Sequence, residues 1–171
     1  NVYGKSPLKP SEMKAVLLVF LVPTGLLFLS ILAMNHGVMI YTLDDPYIHM
    51  EMARNIWAGH YGINVEEYSA PSSSIVWPFL LAPFSVLGDA FFYVPLVLNT
   101  VFALLTFVLI FKLLRNMDCP FSALVTCGLF FSINLYGLIF NGMEHSLQVC
   151  LTAFIAADIV RREFLQKTQV S

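Results

Sequence analysis

The stretch Ile75-Val76-Trp77-Pro78-Phe79-Leu80-Leu81-Ala82-Pro83-Phe84-Ser85-Val86-Leu87 decides how this chain is threaded. A helix rises about 1.5 Å per residue, so a ~30 Å hydrocarbon layer takes about 20 residues to cross. Thirteen residues with Pro78 and Pro83 among them are too few to span it. The charges on either side give the same answer. If the stretch stays on one side, eight of the nine Lys and Arg residues share one face of the membrane. Those eight are Lys5, Lys9, Lys14, Lys112, Arg115, Arg161, Arg162 and Lys167, and only Arg54 lies opposite. If it crossed, the basic loops would be split between the two sides. The positive-inside rule therefore predicts four spans, both termini cytoplasmic, and an interfacial or re-entrant helix over 75–87.

Working outward, the spans fall at about 15–34, 91–111, 121–140 and 146–160. The first is too long for the apolar region of a cleaved signal peptide, about 7–15 residues. The fourth is the shortest and holds Gln148 and Asp158. Between the first two lies a long non-cytoplasmic loop, about 35–90, carrying Asp44, Asp45, Glu51, Glu66, Glu67 and Asp89. The turn Asn141-Gly142-Met143-Glu144-His145 lies on the same side in this threading. Composition supports an all-α integral membrane module. Of 171 residues, 58% are hydrophobic and 12% charged, against roughly 45–50% and about 25% in soluble domains. No basic patch or stripe points to nucleic acid. Cys119, Cys127 and Cys150 are too scattered for a disulfide framework or a zinc site. The chain begins at Asn1 and ends soon after a span, so we expect one membrane module, 1–171, from the N-terminal part of a longer protein.

The loop opens with Asp44-Asp45-Pro46-Tyr47-Ile48-His49. Asp45 followed by Pro46 is a helix-start signal, with Asp45 as N-cap and Pro46 as first helical residue. The helical pattern runs over 46–58, and Gly59 suits the C′ position. On a helical wheel Ile48, His49, Met50, Met52, Ala53, Ile56 and Trp57 fill one arc, as expected of a helix lying along the interface. Asp44 then lies just outside the helix. It is either a solvated loop acid or a general base, able to take a proton from a hydroxyl. A divalent metal on Asp45 and His49, four residues apart, is a weaker alternative. Ser72 and Ser73 sit in a serine-rich turn before Ser74, which is placed to cap the next helix. They serve either the turn alone or a phosphate held near a helix N-terminus. Arg54 either contacts a phosphate or pairs with Glu51 three residues earlier. Glu144 either faces the same cavity or stays an interfacial acid.

In this order the motifs resemble the N-terminal part of the GT-C membrane glycosyltransferases. The segments that carry the likeness are Asp44-Asp45-Pro46-Tyr47, Ala53-Arg54-Asn55, Gly59-His60-Tyr61-Gly62 and Ala70-Pro71-Ser72-Ser73-Ser74. Leu80-Leu81-Ala82-Pro83 and Gly142-Met143-Glu144 extend it. It is strongest for bacterial polyprenyl-phosphate-sugar-dependent enzymes related to protein O-mannosyltransferases and aminoarabinose transferases. The resemblance implies sugar transfer to a hydroxyl acceptor on the outer face of a bacterial inner membrane, usually with inversion. It implies that Asp44 is the catalytic base and that Asp45 places substrate or a metal. Related mannosyltransferases often carry Asp-Glu where this chain has Asp-Asp, which leaves the second acid's role open. Arg54, Ser72, Ser73 and Glu144 are the further candidates for substrate binding. No resident cofactor is expected, with a divalent cation as the exception to test. Family members have many more spans, and later loops help bind the donor, so this chain alone is expected to be inactive. Two other classes compete. One is a prenyl-diphosphate transferase with an Asp-rich Mg²⁺ site. The other is a transport or assembly subunit without catalysis.

Overall fold

The computed structural model describes residues 8–169, and beyond Val160 only the side chain of Arg162. Lys5 and the side chains of Arg161 and Lys167, used above to orient the chain, lie outside the described residues. The described residues form helices and turns without strands. In chain order the helices are α1 (Pro10–Met34), α2 (Asp45–Trp57), α3 (Val76–Leu81), α4 (Val94–Asn116), α5 (Ser122–Ser132), α6 (Leu135–Ile139) and α7 (His145–Gln169). A 3-10 segment, Ala82–Tyr93, joins α3 to α4.

Two helical stretches are long and apolar enough to cross a membrane. They are Pro10–Met34 and the run Val76–Asn116, which takes in α3, the 3-10 segment and α4. The apolar helices Ser122–Ser132 and His145–Val160 are shorter. The expected spans at 15–34, 91–111 and 146–160 thus fall within or across helices, with α4 starting at Val94. The expected span at 121–140 does not form one helix. It divides into α5 and α6 at Ile133 and Asn134, where Asn134 takes a left-handed φ of 54°. Asn tolerates that conformation better than most residues. The Asn134 amide also fills the space where a side chain at Gly137 would sit. The expected helix over 75–87 is corrected too. Only Val76–Leu81 is α-helical, and the chain then tightens into 3-10 turns. Pro83 lacks the N–H that would continue an α-helix back to Phe79, and Gly88, at φ 59° and ψ −128°, adopts a backbone conformation open to glycine.

α1 stays continuous through Pro23. The proline leaves the Val19 carbonyl without its helical donor, and the Tyr136 hydroxyl supplies one at 3.3 Å. Around this bond the rings of Phe20, Phe107, Phe130 and Tyr136 join α1, α4, α5 and α6, with Phe20 and Phe107 5.5 Å apart edge-to-face. Cys150 is buried, Cys127 half-buried, and all three cysteines are free. Tyr41 ties the loop after α1 to the start of α4. Its hydroxyl donates to Phe92 O at 2.8 Å and accepts the Leu96 N–H at 3.2 Å. It therefore stands in for an i to i−4 bond where 3-10 gives way to α-helix. Burial pushes its own ionisation well above the usual range.

Candidate functional site

α2 starts one residue earlier than its sequence suggests. Asp44 occupies the N-cap position and its carbonyl accepts the N–H groups of Tyr47 and Ile48, at 2.9 and 3.2 Å. Asp45 is therefore the first helical residue, not the cap, and Pro46 the second. The shift costs little because the first N–H groups of a helix lack intrahelical partners anyway. The Asp44 side chain makes no capping bond. It is exposed, whereas Asp45 is half-buried.

The other end of α2 closes as expected. Gly59 takes φ 87°, its N–H reaches Ile56 O at 3.0 Å, and the His60 N–H reaches Asn55 O at 2.8 Å. That is a Schellman cap. The buried Asn55 amide donates to Gly62 O and Ile63 O, both at 2.8 Å, and so holds the following loop to the helix.

The buried side of α2 carries His49, 1% exposed. Three separate segments meet around it. His49 Nδ1 lies 2.8 Å from Ser72 Oγ, and His49 Nε2 lies 4.0 Å from Glu144 Oε2. Asp45, one turn earlier on α2, acts on the imidazole through its charge. Desolvation lowers the proton affinity of His49 below the ordinary histidine range; Glu144 and Asp45 work against that, and His145 adds to it. Glu144 is buried, so it faces inward, and its Oε1 accepts a bond from Gln148 Nε2 at 3.3 Å.

Backbone geometry brings the Glu144 turn close to α2. Gly142 has φ 76°, and a Cβ there would lie 2.7 Å from Tyr41 Cδ1 and 2.8 Å from Pro46 Cβ. Only glycine meets both demands. The Trp77 indole N–H donates to Gly142 O at 3.1 Å and fixes the same turn to α3. Ser74, the expected cap, accepts the Trp77 N–H at 3.3 Å, although α3 itself begins at Val76.

Asp45, Ser72 and Glu144 are therefore gathered around His49, with Asp44 at the exposed tip. Arg54 and Ser73 do not join them. Arg54 pairs with Glu51 at 3.0 Å, with both side chains about half exposed, and lies over the Phe91 ring. Ser73 is exposed. Sequence reasoning placed His49 on the apolar arc and tied it only to a metal, missing it as the meeting point. The available signal was an ionisable ring among Met50, Met52 and Ala53 on that arc. Among the described residues no group of three or more His, Cys, Asp or Glu side chains is placed to hold a metal ion. Comparison with protein-family models, with curated proteins and with solved structures finds no match.

Proposed function

We propose that this chain is part of a membrane glycosyltransferase that moves a sugar from a polyprenyl-phosphate donor to a hydroxyl acceptor, with Asp44 as general base. The observation that carries the reading is the gathering of Asp45, Ser72 and Glu144 around His49, directly behind the exposed Asp44. These residues come from three of the segments on which the GT-C resemblance rests. In the proposed arrangement four segments cross a bacterial inner membrane, both termini are cytoplasmic, and the loop over 35–90 faces outward. α5 and α6 together make the third crossing.

In the reaction, the acceptor O–H proton passes to the Asp44 carboxylate as the oxygen bonds to the anomeric carbon. The bond from that carbon to the phosphate oxygen breaks, and the lipid phosphate leaves with its electron pair. Arg54 and the Ser73 hydroxyl are the donors this chain offers to the phosphate, while Ser72, whose hydroxyl donates to Ser74 O, holds the turn that carries Ser73. Asp45 orients the acceptor.

The test is transfer from radiolabelled polyprenyl-phosphate sugars by membranes carrying the full-length protein. Asp44→Asn is expected to lower transfer by at least about 100-fold at unchanged protein level. Transfer at the wild-type rate in that variant would remove Asp44 from the chemistry. No transfer from any donor by the wild type would count against the enzyme class.

A further inference from the structure

The segments around His49 form a circuit with one long link. From His49 Nδ1 it runs to Ser72 Oγ at 2.8 Å and on to Ser74 O, 2.5 Å away. Ser74 Oγ takes the Trp77 N–H, and the Trp77 indole donates to Gly142 O. Two residues on, Glu144 Oε2 returns to His49 Nε2 at 4.0 Å, too far for a hydrogen bond.

Counting hydrogens fixes the tautomer. Ser72 has one hydroxyl hydrogen. It is donated to Ser74 O, and the Ser72 oxygen also takes the Ser74 N–H at 3.2 Å. Nδ1 must then carry its own hydrogen and donate to Ser72 Oγ. In the neutral ring this leaves Nε2 as a bare acceptor. It faces Glu144 Oε2, which as a carboxylate oxygen is also an acceptor only. Both atoms are buried and have no hydrogen-bond partner. Two acceptors turned toward each other lack one hydrogen, and buried groups in that state are costly.

We propose that the His49–Glu144 couple is a one-proton site, whose loading closes the 4.0 Å link and locks α2 to the turn between α6 and α7. A proton from solvent adds to Nε2. The new N–H then donates to Oε2, and the couple gains one positive charge. The other groups acting on the ring are Asp45 from α2 and His145 from α7. α3 and the Ser72–Ser74 turn carry no titratable group, and Asp89 and Tyr93 in the 3-10 segment are exposed. Because Asp44 and Asp45 begin α2 one turn before His49, loading makes their placement depend on pH. Proton loading of this couple is independent of sugar transfer, and ring-nitrogen signals and stability report it directly.

The sign follows from burial. The native ring is harder to protonate than the unfolded one, whose value is about 6.5. Above that pH this group leaves stability level. As pH falls through about 6.5 the unfolded chain takes up a proton that the native chain does not, so stability falls. The fall is at most about tenfold in the folded-to-unfolded ratio per pH unit, and it stops once the native couple loads.

The experiment is ring-nitrogen NMR of the full chain in micelles, with ¹⁵N-labelled histidine and the His49 signal assigned by His49→Gln. At neutral pH the wild type is expected to show the Nδ1–H tautomer. On acidification it should gain the Nε2 hydrogen below about pH 6.5. Glu144→Gln presents an amide N–H to Nε2 and supplies the missing hydrogen. It should exceed wild-type stability at neutral pH, because the unpaired acceptor is relieved, and hold the ring neutral to lower pH. An Nε2–H tautomer at neutral pH, or titration at or above the ordinary value, would overturn the proposal. So would ring signals that move on adding EDTA, since a metal would then fill the gap.

Discussion

Two regions of this molecule are joined across long stretches of sequence by opposite means. At the centre, the rings of Phe20, Phe107, Phe130 and Tyr136 meet edge-on or tilted, with centroids 5.0 Å apart for Phe107 and Phe130 and 6.3 Å for Phe20 and Phe130. The Tyr136 hydroxyl adds a bond to the carbonyl freed by Pro23. At the acid-pair end, α2 is joined to α3 and to the α6–α7 turn through His49, Ser72, Ser74, Trp77 and Gly142. That circuit leaves two buried atoms unsatisfied, His49 Nε2 and Glu144 Oε2. Apolar packing tolerates changes that keep volume. A polar circuit depends on each hydrogen, so it fixes one arrangement and is sensitive to every member. The first kind of joint suits a scaffold, and the second suits a place where charge must be held still.

The contrast is tested hardest at Gly142. Gly142→Ala meets both a positive φ and collisions with Tyr41 and Pro46. The expected loss is about 3 kcal/mol, combining overpacking with left-handed strain. Phe130→Leu in the aromatic centre should cost less, about 1.5 kcal/mol. Thermal unfolding in detergent measures both, and equal costs would break the comparison.

Removing single donors sharpens it. Tyr136→Phe leaves the Val19 carbonyl beside Pro23 with only the weak Cys127 thiol donor at 4.0 Å, and Trp77→Phe strands Gly142 O. Each should cost about 1–3 kcal/mol as a buried carbonyl loses its donor. Their reach should differ. Trp77→Phe is expected to move the His49 ring signals through the shared turn, while Tyr136→Phe leaves them in place. Displacement of the His49 signals by Tyr136→Phe would mean that the two regions are coupled.

How much of this could be read beforehand follows from where each signal resides. α1 was legible because a long apolar run needs no partner to declare it. α2 was legible because Asp-Pro and Gly59 mark its ends, and its start was misplaced by one residue because Pro46 is tolerated at either of the first two helical positions. The break inside 121–140 was invisible to hydrophobicity, which does not sense φ; Asn134 was its only local clue. Ser72 and Glu144 were each noticed alone, and His49 only beside Asp45. Their meeting was not legible, because it depends on a 3-10 segment and a glycine turn that set distances between remote positions. The Arg54–Glu51 pair was legible as an alternative because it is local, an i, i+3 contact.

That pair carries the smallest expected effect. With both side chains about half exposed at 3.0 Å, it contributes about 0.5 kcal/mol. Stacking over Phe91, 5.4 Å from the ring centroid, adds a similar amount to Arg54 alone. Glu51→Gln and Arg54→Gln should therefore both unfold within about 1 kcal/mol of wild type. Their effects on sugar transfer should separate. Arg54→Gln removes a cation offered to the donor phosphate and should raise the KM for donor. Glu51→Gln releases the same cation from its partner and should leave that KM unchanged or lower it. If the two variants behave alike in KM as they do in stability, Arg54 serves only the surface of α2, and the phosphate is held by groups elsewhere.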